Sequence, residues 1–248
     1  MTVALKASPD DQALLLEVQQ LDTRLQQLDH RSKSLPALAQ LAELAREEEQ
    51  LRKTLAQQRG GAEDARAELK RVESDVAVVE ARIARDSDRL QHSSSTKDVH
   101  ALEQELASLR KRLSDLEDIE LTVMERVEQE QDALSAAEGR LAELRERVVA
   151  LEAERDEQLK GLESERVHAR ANRATVAGKI PPELMALYER QRSRYGVGAS
   201  HLRGGVSGAS GVRLTESDMA RIRSAAPDEV ILCPDSDAIL VRTAESGL

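Results

Sequence analysis

The chain has no Phe and no Trp, and its two tyrosines hold aromatic content to 1% of 248 residues. Large rings normally fill a broad globular core, so the interior here must be a thin seam of Leu, Val, Ile and Ala. A single cysteine, Cys233, excludes an intramolecular disulfide framework and agrees with a reducing compartment. No basic segment followed by an apolar run stands near Met1, and no apolar stretch approaches the ~18 residues a membrane helix needs. The expectation is a cytoplasmic protein with no membrane partner. A Gly-rich phosphate loop ending in Lys-Ser/Thr is absent, as is a paired-His metalloprotease motif.

What the chain does contain is charge: 33% of residues are Asp, Glu, Lys or Arg. Mixed with abundant Ala, Leu and Gln, that is the composition of long solvated helices and coiled coils, and it sets the class as mainly α. The net charge of −10 repels phosphates at long range and opposes wholesale nucleic-acid binding.

Hydrophobic periodicity supplies the architecture. Ser8-Pro9-Asp10-Asp11 reads as a helix start, with a capping hydroxyl, a proline suited to the first turn and two acids facing the helix dipole. Leu14, Val18, Leu21, Leu25 and Leu28 then follow steps of four and three, one stripe of a helix. The phase slips at Ser34-Leu35-Pro36, which predicts a kink near 34–36. Leu69, Val72, Val76, Val79, Ile83 and Leu90 restore the stripe after a weak point at Gly60-Gly61. Residues 91–97 lose all periodicity and mark a turn, with Ser95 and Asp98 as a loose capping box.

From Leu102 to Leu162 a seven-residue repeat runs through eighteen sites, fourteen of them Leu, Val or Ala; Glu120, Glu130, Arg155 and Gln158 are the exceptions. A strict heptad over that distance implies supercoiling against another helix. The nearly matched arms favour folding back on the first helix, a hairpin of about 120 Å at ~1.5 Å per residue. A parallel dimer through the same seam uses identical chemistry, and the oligomeric state stays open. The coiled-coil hairpin is expected over residues 1–178.

Beyond Gly178 the composition changes. Ile180-Pro181-Pro182-Glu183 ends the long helix and starts a short one to Tyr195. Glycines 196–211 mark loops, and residues 217–225 read as a further short helix. Glu229–Cys233 and Ala238–Arg242 flank Pro234-Asp235-Ser236-Asp237 as a β-hairpin. Residues 179–248 are thus a small α+β domain.

Three stretches carry a family resemblance: Thr96–Leu106 with Ser114–Asp118 after it, then Pro182-Glu183-Leu184-Met185-Ala186-Leu187-Tyr188-Glu189-Arg190, then Ala226–Val230 through Ile239–Thr243. In this order the chain resembles the bacterial coiled-coil proteins with a C-terminal four-cysteine zinc ribbon, in their actinobacterial form. The resemblance implies a zinc-ribbon-like terminal domain whose ligand positions fall on Ser207, Ser210, Cys233 and Ser236. Serine hydroxyls are too weakly acidic to replace thiolates, so these four are read as non-binding and zinc as lost. His201, Asp235 and Asp237 are the residues from which a rebuilt site would have to come; the preferred reading is a metal-free ribbon.

No catalytic constellation emerges. The carboxylates suit a solvated helix face, His30, His92, His100 and His168 are dispersed, and Cys233 has no base beside it. Charge is uneven, however. Residues 1–165 carry 24 cations against 37 anions, net −13, whereas residues 166–203 carry eight against two, net +6. Arg190, Arg192, Arg194 and Arg203, with Tyr188 and Tyr195, are the residues in this basic junction that offer phosphate pairing or base stacking. Two functions are therefore expected: a non-enzymatic adaptor binding protein partners through its helices and terminal domain, or alternatively an RNA- or DNA-binding protein using residues 166–203.

Overall fold

The computed structural model describes residues 5–248. It is mostly helical, a long helical hairpin with a small strand-containing C-terminal domain. Helix α1 spans Pro9–Lys33, α2 Pro36–His92, α3 Thr96–Ala177, α4 Pro182–Tyr195 and α5 Glu216–Ser224; strands are β1 Ala199–Arg203, β2 Val206–Ser207, β3 Ile231–Leu232 and β4 Ile239–Val241. The chain divides into two compact units, one of Ala37–Ala153 and one joining the residues up to Pro36 with Glu154–Leu248.

The first unit is the antiparallel pairing of α2 with the first part of α3. On α2 a stripe of buried and half-buried residues recurs in steps of four and three from Ala37 to Leu90, with Gly60, Gly61, Glu68 and Ser87 half-buried beside it, the pattern that keeps one stripe against a supercoiled partner. The helix runs unbroken through Gly60-Gly61. Gly61 has a local reason: a Cβ there would lie 2.8 Å from Glu130 Oε2, so the missing side chain makes room for a seam glutamate. Flanking ion pairs fasten the two arms, Glu68 with Arg126 and Arg82 with Glu105 in close contact, and Glu48 with Arg145 at 3.3 Å. Ser93-Ser94-Ser95 turns the chain, and Ser95 Oγ accepts from Asp98 N at 3.5 Å.

The heptad of α3 holds from Leu102 to Arg155 and then changes. Gln158 is exposed and Leu159 takes the seam position, so the steps run 151, 155, 159, 162. Inserting one extra step of four is a stutter, which locally unwinds the supercoil. Past it, Leu162, Ala169 and Val176 continue the new phase within the second unit.

That second unit is layered. Its sheet has the order β2-β1-β4-β3, with β1 parallel to β4 and the other pairs antiparallel. Strand alternation divides the side chains. Ala199, Ile239 and Val241 pack with Leu15, Leu16 and Val18 of α1 and with Leu184 and Tyr188 of α4. Leu202, Leu240, Ile231 and Cys233 pack with Met219 and Ile222 of α5. α1 is therefore buried on two sides, which explains why Gln12 and Asp22, outside its hydrophobic stripe, are also buried. A segment before α1 adds to the assembly: Ala7 N donates to Asp228 O at 2.8 Å and Val230 N to Leu5 O at 3.0 Å. Arg242 gathers the turn after α5, donating to the carbonyls of Ala225, Ala226, Pro227 and Glu229.

Candidate functional site

The C-terminal unit concentrates the polar chemistry in two places. The first is a pair of turns with the same backbone. In Ser207–Val212, Gly211 N donates to Ser207 O at 2.9 Å and Ser207 N to Val212 O at 3.0 Å. In Cys233–Ala238, Asp237 N donates to Cys233 O at 3.0 Å and Cys233 N to Ala238 O at 2.8 Å. The fifth residue of each turn is left-handed, Gly211 at φ 69° and Asp237 at φ 54°, the only positive-φ residue other than glycine among the described residues. Asp is one of the few side chains that tolerate this region.

The turns bring two of the four serine and cysteine positions into direct contact. Cys233 Sγ donates to Ser207 Oγ at 3.3 Å, both residues being fully buried, and Ser207 Oγ also lies 3.4 Å and 3.5 Å from the amides of Ala209 and Ser210. Burial pushes the Cys233 thiol up, but the hydroxyls of Ser207 and Ser236 and the backbone amides of Asp235 and Ser236 outweigh it and hold the thiol below its ordinary value. A structural zinc needs four thiolate or imidazole donors, and one thiol with three hydroxyls does not fit it. Among the described residues no three His, Cys, Asp or Glu side chains gather closely enough to share a cation, so His201, Asp235 and Asp237 do not complete a set around Cys233.

The second place is a partly buried ion network around Asp22, joining α1, α3 and α4. Arg173 donates to both oxygens of Asp22, Nε to Oδ1 at 2.7 Å and Nη2 to Oδ2 at 3.1 Å, and also contacts Glu189 closely. Tyr188 Oη donates to Asp22 Oδ2 at 2.7 Å. Arg192 bonds Glu189 at 3.0 Å and lies 3.4 Å from Asp22. Gln19 Oε1 accepts from Gly198 N at 2.8 Å, tying the entry of β1 to α1. Gly198 is required there, since a Cβ would stand 2.5 Å from the Tyr188 ring. Hydrogen bonding to Asp22 raises the Arg173 guanidinium still further above neutrality, and burial followed by Asp22 pushes the Tyr188 phenol far above its ordinary value.

This geometry separates the residues expected to contact nucleic acid. Tyr188 is fully buried and offers no stacking surface; its ring is core and its hydroxyl belongs to Asp22. Arg192 is half-buried and pairs with Glu189 and Asp22, whereas Arg203 pairs with Glu245 at 2.7 Å and stays exposed. Arg190, Arg194 and Tyr195 do lie exposed on α4, with Tyr195 held above its ordinary value by Asp237. Asp22 and Gln19 carried no local signal of a role, because each sits beside the α1 stripe and meets partners more than 150 residues away.

A family model described as the CT398-like coiled coil hairpin domain matches residues 18–196, from within α1 to the end of α4. The chain belongs to the CT398-like coiled coil hairpin family. Two uncharacterized proteins from strains of Mycobacterium tuberculosis are each 35% identical over 239 residues, spanning 96% of this chain and 98% of the relative. A solved structure from Mycobacterium smegmatis is similar at a TM-score of 0.84 and 32% identity, covering 96% of this chain and all of that one. CT398 from Chlamydia trachomatis shares the fold at a TM-score of 0.66 and 19% identity, over 94% of this chain and 98% of that one. For this CT398-like chain, no helix among the described residues is long and apolar enough to cross a membrane.

Proposed function

We propose that the protein is a non-enzymatic adaptor, resident in the cytoplasm, that binds protein partners through its helical hairpin and small C-terminal domain. The observation that carries this reading is the internal use of the polar groups in the terminal unit. Asp22, Arg173, Tyr188 and Glu189 satisfy one another across three helices, an arrangement that fixes α4 rather than poising a group for proton transfer. The hairpin in turn presents long charged faces, the usual surface for recognition by other helices.

The matched turns at 207–212 and 233–238 support a second part of the proposal: the terminal unit is a zinc-ribbon-like domain that has dispensed with its metal. The buried Cys233–Ser207 contact and the two hydrophobic clusters take over what zinc would otherwise hold together. Metal analysis of the purified protein tests this part, with substoichiometric zinc expected and one tightly held zinc per chain overturning it.

Exposed Arg190, Arg194 and Tyr195 on α4 favour the alternative reading of nucleic-acid contact, by phosphate pairing and one stacking ring. Affinity capture from lysate with the intact protein, with and without nuclease, separates the two. Proteins recovered after nuclease treatment support the adaptor. Recovery of RNA or DNA, with nuclease stripping everything else, would replace it with the nucleic-acid reading.

A further inference from the structure

The hairpin unit carries its charge in one place. Residues 115–132 of α3 hold eight carboxylates against Arg126 alone, and residues 63–80 of α2 hold six against three cations. The two segments lie side by side, joined by Glu68 with Arg126 and Arg66 with Gln131. Together they carry −10, equal to the net charge of the whole chain. The same short stretch exposes large apolar side chains, Val78 at 63%, Ile119 at 48%, Leu121 at 60% and Met124 at 49%.

A groove of about 520 Å³ runs along α3 here, with Glu68 as the α2 residue that lines it. Val123 is buried at its floor with Ile119 and Thr122 beside it. Asp118 and Glu125 stand two turns apart along its wall, and neither carboxylate makes an ion pair among the described residues. A small apolar patch at Ile119 and Val123, flanked by unpaired acids at helical spacing, is complementary to a helix with one aliphatic face bordered by Lys and Arg.

We propose that this groove docks a basic amphipathic helix of a partner protein, laid against α2 and α3 as a third strand. The inference rests on the adaptor reading and supplies the chemistry of its partner. Charge decides the occupant. A second copy of this chain would bring two −10 patches together, and a nucleic acid would meet the same repulsion. A cationic helix instead gains attraction from Asp118 and Glu125 while covering Ile119.

The test uses the full chain with a synthetic helical Leu/Lys peptide as probe, and the same peptide with Glu in place of Lys as its counterpart, followed by fluorescence anisotropy at physiological salt. The Lys peptide binds and the Glu peptide does not. Asp118→Lys with Glu125→Lys weakens binding about tenfold, since each exposed reversal removes an attraction and adds a repulsion. Ile119→Ser weakens it as well. Glu143→Lys with Glu146→Lys, the same charge change on exposed sites of α3 outside the groove, changes it less than about twofold. Circular dichroism confirms that every variant stays helical. Equal weakening by both double variants, or no effect of Ile119→Ser, reduces the binding to general charge attraction and overturns the groove. If the peptide fails to bind while nuclease-resistant protein partners are still captured from lysate, the groove falls and the adaptor reading survives; if no protein partner is captured either, both fall.

Discussion

Replacing Asp22 by Ala should release α4 from α1 and α3. Asp22 is 2% exposed and accepts from Arg173 at 2.7 Å and 3.1 Å and from Tyr188 at 2.7 Å. Removing one member of a buried pair leaves the other charge in a poorly solvated site, a cost of ~3–5 kcal/mol. Arg173 keeps 21% of its side chain in contact with water and retains Glu189, and the Tyr188 hydroxyl retains Gln19 Oε1 at 3.2 Å, which places the expected loss near the lower end, ~3 kcal/mol. Far-UV circular dichroism reports all the helices at once and would dilute the effect. Tyrosine fluorescence is selective, because the chain lacks Trp and both tyrosines belong to the unit that contains Asp22. Urea titration followed by that signal should show the midpoint falling for Asp22→Ala, whereas Asp22→Leu with Arg173→Met should recover to within ~1 kcal/mol of the parent, since an apolar pair of similar volume carries no stranded charge. A loss below ~1 kcal/mol in the single variant, or a double variant no better than the single, would refute the view of this network as a structural latch.

Other expectations follow from the same unit. The Tyr188 phenol is raised above its unfolded value, so its contribution to stability is complete below the ordinary tyrosine pKa of ~10 and is lost as pH climbs above it. Alkaline difference spectroscopy should show Tyr195 ionising in the folded protein and Tyr188 only with unfolding; two tyrosines ionising together while the chain remains folded would contradict this. Gly198→Ala places a Cβ 2.5 Å from the Tyr188 ring and should cost ~1–3 kcal/mol in thermal unfolding, whereas Gly161→Ala meets open space inside α3 and should stabilise by ~0.5–1 kcal/mol. Changing Ser207, Ser210 and Ser236 together to Cys should convert the two matched turns into a zinc site, read by the visible absorption of a cobalt-substituted sample; failure to bind cobalt would mean that the turns do not converge as a tetrahedral set.

Much of the hairpin was legible in the residues themselves. A heptad seam is a local property, so Leu102 through Arg155 announce which side of α3 is buried before any partner is known. The seam failed only at Gln158, because keeping seven-residue spacing and following the apolar residues through Leu159 and Leu162 are rival continuations that one helix alone does not distinguish. The basic junction was legible only in part: Arg170, Lys179, Arg190, Arg194 and Arg203 are exposed. Eight cations within residues 166–203 read as a surface, yet Arg173 and Arg192 meet Asp22, and Tyr188 is core. Their partner lies on α1, 151 residues from Arg173, and composition counted over a window does not see it.

The sequence by itself determined the class, the helical arms and the turn at the serine cluster, because periodicity and breakers act over a few residues. Tertiary structure alone decided that α1 serves two faces, that Asp22 anchors an arginine and a tyrosine from distant helices, and that Cys233 rests against Ser207. Those outcomes depend on which surfaces exclude water together, and only the packed chain brings such surfaces into contact.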